Sequence, residues 1–178
     1  DTAGDTTKKN DVGENGKDAI FSFLFDRLAI ASNNILWYYQ PSTGVTSVTD
    51  PDIGTVLYVL WIDGYFAVTD GTSIAVTDLN DPYAVNPLKY GSAEESPDAI
   101  VALLRLNSQM VAVGTLTCEF FQNIGGTLFP FQRVTNALGE RGAVGSYAVA
   151  LYNQTFAVVG NGIDEAPGVY LATPGGSA

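Results

Sequence analysis

The side chains of this sequence that could carry chemistry are mostly carboxylates. The chain has 178 residues with 19 Asp and Glu and no His, so the usual general base and commonest metal ligand near neutral pH is missing. Asp78-Leu79-Asn80-Asp81 begins like a calcium loop, but Pro82 and Tyr83 stand where that loop needs a ligand and a glycine. Asx turns are the expected use of those side chains. Glu94 and Glu95 form a carboxylate pair in sequence only, because neighbouring strand residues point to opposite faces. Cys118, the single cysteine, lies in an apolar stretch and reads as a small core residue. Asn153-Gln154-Thr155 has the form of a glycosylation site and reads better as a hairpin turn. The spacing builds no catalytic, metal or cofactor site, and no phosphate-cradling glycine loop occurs.

Two further groups define a rival reading. Trp37, Tyr38, Tyr39 and Trp61 could stack on sugar rings, which with convergent carboxylates or arginines would make a carbohydrate-binding or glycan-processing propeller. Arg27, Arg105, Arg133 and Arg141 share no motif, and aromatics at strand positions more often pack. The expected role is therefore not enzymatic.

The elements that would position these residues are strands. Asp63-Gly64 and Asp70-Gly71 lie between apolar runs and read as two-residue hairpin turns, where φ > 0 suits glycine and is tolerated by Asp. Asn33-Asn34, Asn107-Ser108 and Asn153-Gln154 read the same way. The runs around them ("VLYVLWI", "YFAV") are apolar at consecutive positions, which predicts small antiparallel sheets covered on both faces. Additional strands are expected over 45–48, 73–77, 115–121 and 168–172. Thr77 to Ile100 and Ile124 to Gly145 read as long connections, with room for a helical turn in "VTNALGERG".

The hairpins at Asn33, Asp63, Asn107 and Asn153 are 30, 44 and 46 residues apart. The last two spacings match a propeller blade, and the first is short. The expected fold is all-β: a β-propeller-like stack of small antiparallel sheets, incomplete or a fragment, with a β-sandwich as the alternative. Residues 1–17 are expected to be a polar flexible segment. Residues 18–178 are expected to form the propeller-like domain of about four blade-like units, part of a longer polypeptide.

Charge narrows the partners. The formal net charge is −11, and from Asp18 onward 15 acidic residues face 5 basic ones. A nucleic-acid backbone is held by Lys and Arg displacing its counterions, so this surface should repel DNA rather than hold it. No apolar run is long enough to span a bilayer, and no membrane insertion is expected.

Four blocks in order, "DGTSIAVTDLNDP", "KYGSAEESPDAIVAL", "VAVGTLTCEFFQNIGG" and "GERGAVGSYAVAL", resemble the packaged-DNA-stabilisation proteins of short-tailed bacteriophages, also called tail-hub or tail-nozzle proteins. The resemblance runs from about Ile62 to Leu151 and is most distinctive at Ala93–Asp98 and at Gly114–Phe121, which includes Glu119. It implies a structural virion protein of the tail, built around a β-propeller and assembled in the host cytoplasm. It further implies a homo-oligomeric ring below the portal and its adaptor, closed by a tail needle or plug. Such a ring retains packaged DNA and lets it pass on ejection without sequence-specific binding. Asp78, Asp81, Glu94, Glu95 and Asp98 would then be acidic loop residues facing the channel. Members of the family are longer than this chain.

Overall fold

The computed structural model describes residues 8–13, 18–24, 26–92 and 98–172. It is all-β, with four small antiparallel sheets set in a ring as propeller blades. Blade 1 is β1 (Ala19–Leu24), β2 (Arg27–Ser32), β3 (Ile35–Gln40) and β4 (Gly44–Ser47). A short 3-10 turn, Pro51–Ile53, leads on to blade 2: β5 (Tyr58–Ile62), β6 (Tyr65–Thr69), β7 (Ser73–Asp78) and β8 (Asp81–Ser92). Blade 3 is β9 (Ile100–Leu106), β10 (Gln109–Gly114), β11 (Cys118–Asn123) and β12 (Phe131–Gly139). Blade 4 has three strands among the described residues, β13 (Val149–Tyr152), β14 (Thr155–Gly160) and β15 (Gly168–Ala172). In every blade each strand pairs with the next in sequence, so no connection crosses a sheet.

The turns are made by the chemistry their residues provide. Asn33 and Asn34 both take positive φ (54° and 63°), as do Asp63 and Gly64 (51° and 94°), which matches the strand twist in a two-residue hairpin. Asn107 and Asn153 supply the left-handed residue of the turns opening blades 3 and 4. Asp70-Gly71 differs from the expectation: Thr69 pairs with Ile74, so the loop is longer than two residues. The cause is the Asp70 carboxylate, which accepts from Thr72 N at 2.8 Å and Ser73 N at 2.7 Å and winds the loop around itself.

The packing explains the consecutive apolar residues. One buried cluster joins blades 1 and 2 through Ala29, Ala31, Leu36 and Tyr38 against Val59, Phe66 and Val68. A second joins blades 2 and 3 through Ile62, Ala67, Ile74 and Val76 against Leu103, Met110 and Phe121. A third joins blades 3 and 4 through Ala102, Val111, Val113 and Phe120 against Phe156 and Val158. Each blade of the middle pair therefore buries both faces, at roughly 25 cal/mol per Å² of apolar surface.

Three expectations are corrected. Thr77 to Ile100 is not mainly a connection: it contains β8, the twelve-residue outer strand of blade 2. Pro82 and Pro87 hid it, yet an outer strand has one free edge where a missing N–H costs no ladder bond. Ile124 to Gly145 likewise contains β12, and "VTNALGERG" continues as strand to Gly139 rather than forming a helical turn. The strand expected from Thr115 begins at Cys118, because Leu116 and Thr117 belong to a tight turn.

Candidate functional site

Among the described residues, the acids singled out in the sequence have separate partners. Asp78 and Asp81 flank the Leu79-Asn80 loop joining β7 and β8. Asp78 is ion-paired with Lys89. Asp81 is exposed and accepts from Tyr83 N at 3.1 Å, the Asx turn anticipated there. Glu94 and Glu95 lie outside the described residues.

Asp98 does something else. Its Oδ2 accepts from Leu116 N at 2.6 Å and Thr117 N at 3.0 Å, and its Oδ1 from Thr117 Oγ1 at 3.1 Å. The carboxylate thus clasps the β10–β11 turn to the start of β9. The turn approaches so closely that a Cβ on Gly114 would stand 2.3 Å from Oδ2. Nothing in the sequence announced this clasp except the glycine before "TLT".

The aromatic and basic candidates are taken up by packing. Tyr38 is fully buried, donates to Pro82 O at 2.8 Å and lies 5.2 Å from the Phe66 ring; burial raises its phenol pKa well above the ordinary value. Trp61 lies 5.2 Å from Phe66. Trp37 and Tyr39 are half-buried on the opposite face of blade 1. Arg27 lies against the rings of Tyr38 and Tyr83 and pairs with Asp26 at 2.7 Å. Arg105 donates to Asn107 O. Arg133 reaches within 3.9 Å of buried Glu119, and Arg141 forms a two-point pair with Glu165 while lying over Tyr170. These four guanidiniums sit in separate places and make no common site.

Cys118 is buried beside Arg141 O, to which its Sγ donates at 3.1 Å. Burial, helped by the Asp98 charge, pushes its thiol up to about 12, which leaves it in the unreactive neutral form. Among the described residues no group of three or more His, Cys, Asp or Glu could hold a metal ion. Among the described residues no helix is long and apolar enough to cross a membrane.

The first strands of successive blades lie side by side, β1 against β5, β5 against β9 and β9 against β13. Trp61 N of β5 donates to Ser22 Oγ of β1 at 2.7 Å, and Tyr58 packs against all three clusters. The inner edges are therefore held together by hydrogen bonds and side chains. Where the first strands begin, Asp18, Asn33, Asp70, Thr72, Ile100 and Ser146 line a depression of about 520 Å³. Asp70 lies on that rim, with its carboxylate accepting from Thr72 N and Ser73 N. Burial raises the Asp70 pKa, but the donors of Ser73 and Thr72 outweigh it and hold the carboxyl below its ordinary value.

Clasped turns and sheets stacked face to face are what the described residues present. A family model described as "Phage_stabilise: Bacteriophage P22 Gp10, beta-propeller" matches residues 1–178. The chain belongs to this family. Among curated proteins, the tail hub protein gp10 of Salmonella phage P22 is 28% identical over 137 residues, which cover 71% of this chain. The match spans 28% of that relative's length. Among solved structures, the computationally designed Ika4 protein matches with a TM-score of 0.52 at 15% identity, over 92% of this chain and 99% of its own. That likeness concerns the fold alone. Within the Phage_stabilise family, this chain supplies four blades with their turns, clasps and stacking faces.

Proposed function

We propose that this chain is part of a structural tail-hub protein of a bacteriophage virion. In this reading, copies form a ring below the portal that keeps packaged DNA in and leaves a conduit for its exit. The observation that carries it is the match of the family model to the whole chain, with P22 tail hub protein gp10 as a relative. The portal and adaptor proteins and a needle or plug are the partners of such a ring.

The geometry bears on where DNA would run. Trp61 N and Ser22 Oγ, 2.7 Å apart, close the gap between the neighbouring strands β1 and β5, so no passage runs between those two strands. In this reading the conduit is the space enclosed by several copies, a closed ring presenting one patch repeatedly around its axis. A net charge of −11 gives such a wall repulsion rather than adhesion, so DNA leaves once the plug is gone. Of the proposed channel-facing acids, exposed Asp81 contributes an outward charge. Asp78 is offset by Lys89, and Asp98 contributes charge while its oxygens hold a turn. Glu94 and Glu95 complete the proposed set.

The test uses fluorescence anisotropy of a labelled duplex at about 0.15 M salt. The expected result is no binding, and reversing one charge with Asp81→Lys should raise adhesion when the ring is assembled. Tight duplex binding by the unmodified protein would remove the repulsion argument. Imaging of the full-length protein with a portal tests the ring itself, and failure to form closed rings would sink the tail-hub reading.

A further inference from the structure

We infer that the depression where the four first strands begin is a binding site for an alkylammonium group, an aliphatic stem ending in a positive charge. The cavity measures about 520 Å³ and every blade helps to build it. Blade 1 contributes Asp18 and Asn33, blade 2 Leu57 and Asp70, blade 3 Ile100, and the approach to blade 4 Ser146. Beside Ser146, the Tyr147 hydroxyl bonds both Ala19 N and Ala19 O, so blades 4 and 1 are tied together at this end. Sites for small molecules have this size, and they combine an apolar lining with a few convergent polar groups.

Both ingredients are present. Buried Ile20, Val56 and Ile100 and exposed Leu57 supply apolar lining. The polar groups around them are uncommitted. Among the described residues the side chains of Asp18, Asn33, Asn34 and Ser146 have no hydrogen-bond or ion-pair partner. The Asp70 carboxylate uses only Oδ1 to accept from Thr72 N, Ser73 N and Ser73 Oγ, which leaves Oδ2 for a further donor. Those three bonds also fix the carboxylate in place before any ligand arrives.

Charge selects the ligand. The lining has two carboxylates, Asp18 and Asp70, and no Lys or Arg, so an anion finds no counter-charge. A sugar finds no ring to stack on, because no aromatic residue lines the cavity. A bare metal ion lacks a ligand set among the described residues. What fits is a cation with an apolar stem. Its methylenes lie along Leu57 and Ile100, and its ammonium donates to Asp70 Oδ2, to Asp18 and to the Asn33 or Asn34 amide oxygen. The smaller depression beside Asp52, about 250 Å³, contains Lys89 and has no such selectivity.

Spermidine, titrated calorimetrically into the 178-residue chain at about 0.05 M salt to limit screening, is the probe. Saturable one-to-one binding is expected, weakened roughly three- to tenfold by Asp18→Asn and by Asp70→Asn and unchanged by Asp52→Asn. Asp18→Asn breaks no side-chain bond of the fold, so its effect is read free of unfolding. Octanediol, an uncharged chain of similar length, should not bind. Absence of saturable binding overturns the inference. So does an equal loss with Asp52→Asn, which would make spermidine a diffuse counterion of an acidic protein, and so does equal binding of octanediol. A Gly-Lys-Gly peptide blocked at both ends separates the two sources of such a group. Binding as tight as that of spermidine assigns the site to a lysine of a partner protein, and binding of spermidine alone assigns it to free polyamines; either result upholds an alkylammonium site.

Discussion

The hydroxyl of Tyr147 accepts from Ala19 N and donates to Ala19 O, each at 2.9 Å, so one side chain satisfies both backbone groups of a residue 128 positions away. This ties the approach to blade 4 onto the free edge of β1. Tyr147→Phe removes both bonds and should lower the unfolding free energy by about 0.5–1 kcal/mol, a modest figure because the site is exposed. Urea denaturation measures it, and an unchanged midpoint would show that the tie carries no net stability.

The Asp98 clasp predicts a larger effect. Asp98→Ala strips the acceptors from Leu116 N, Thr117 N and Thr117 Oγ1 and should cost about 2–3 kcal/mol. Asp98→Asn keeps one acceptor oxygen and should recover part of that loss. If Asn is no better than Ala, the negative charge rather than the hydrogen bonding holds the turn.

Asp70 sets a pH dependence. Its carboxyl pKa is depressed in the fold because backbone donors outweigh the cost of burial. Its contribution is therefore present above the unfolded value, near pH 4, and is lost as pH falls through the lower folded value. Asp70→Asn should flatten that part of the stability profile below about pH 4 and leave the profile near neutrality parallel to wild type. A profile just as steep would place the acid sensitivity on other carboxylates.

Phe156 and Val169 sit on the two faces of one sheet and should respond differently. Phe156 is fully buried, with its ring 6.3 Å from Phe120, and Phe156→Ala should cost about 3–5 kcal/mol. Val169→Ala, on the uncovered face, should change the stability of the 178-residue chain by about 0.5 kcal/mol or less. Thermal unfolding of both variants checks the contrast.

Cys118 should be silent to Ellman's reagent at pH 8 in the folded protein and react fully in denaturant, since burial pushes its thiol up to about 12. Prompt reaction in the native state would mean that blade 3 opens readily.

The inner parts of the blades were legible in the sequence because Asn- and Asp-led turns punctuate runs that are apolar on both faces. The outer strands were not. β8 and β12 have exposed edges that accept Pro82, Pro87 and Asn136, so neither periodicity nor turn chemistry marks them. The short first spacing has a similar origin. Asn33-Asn34 joins the second and third strands of blade 1, whereas the turns at Asp63, Asn107 and Asn153 join the first and second strands of theirs. The equivalent turn in blade 1 contains Asp26, whose distance of 37 residues to Asp63 is closer to the blade period. As for the candidate site, residue types gave the charge but not the destination of each carboxylate. The Asp98 oxygens are directed by a fold contact with Leu116 and Thr117, which no local spacing specifies.

Every strand here pairs with its immediate neighbour along the chain. Such wiring keeps sequence separation within a sheet small, so each meander can close soon after it leaves the ribosome. The nascent protein would then mature vectorially, with one apolar side of each finished sheet waiting for the next to cover it.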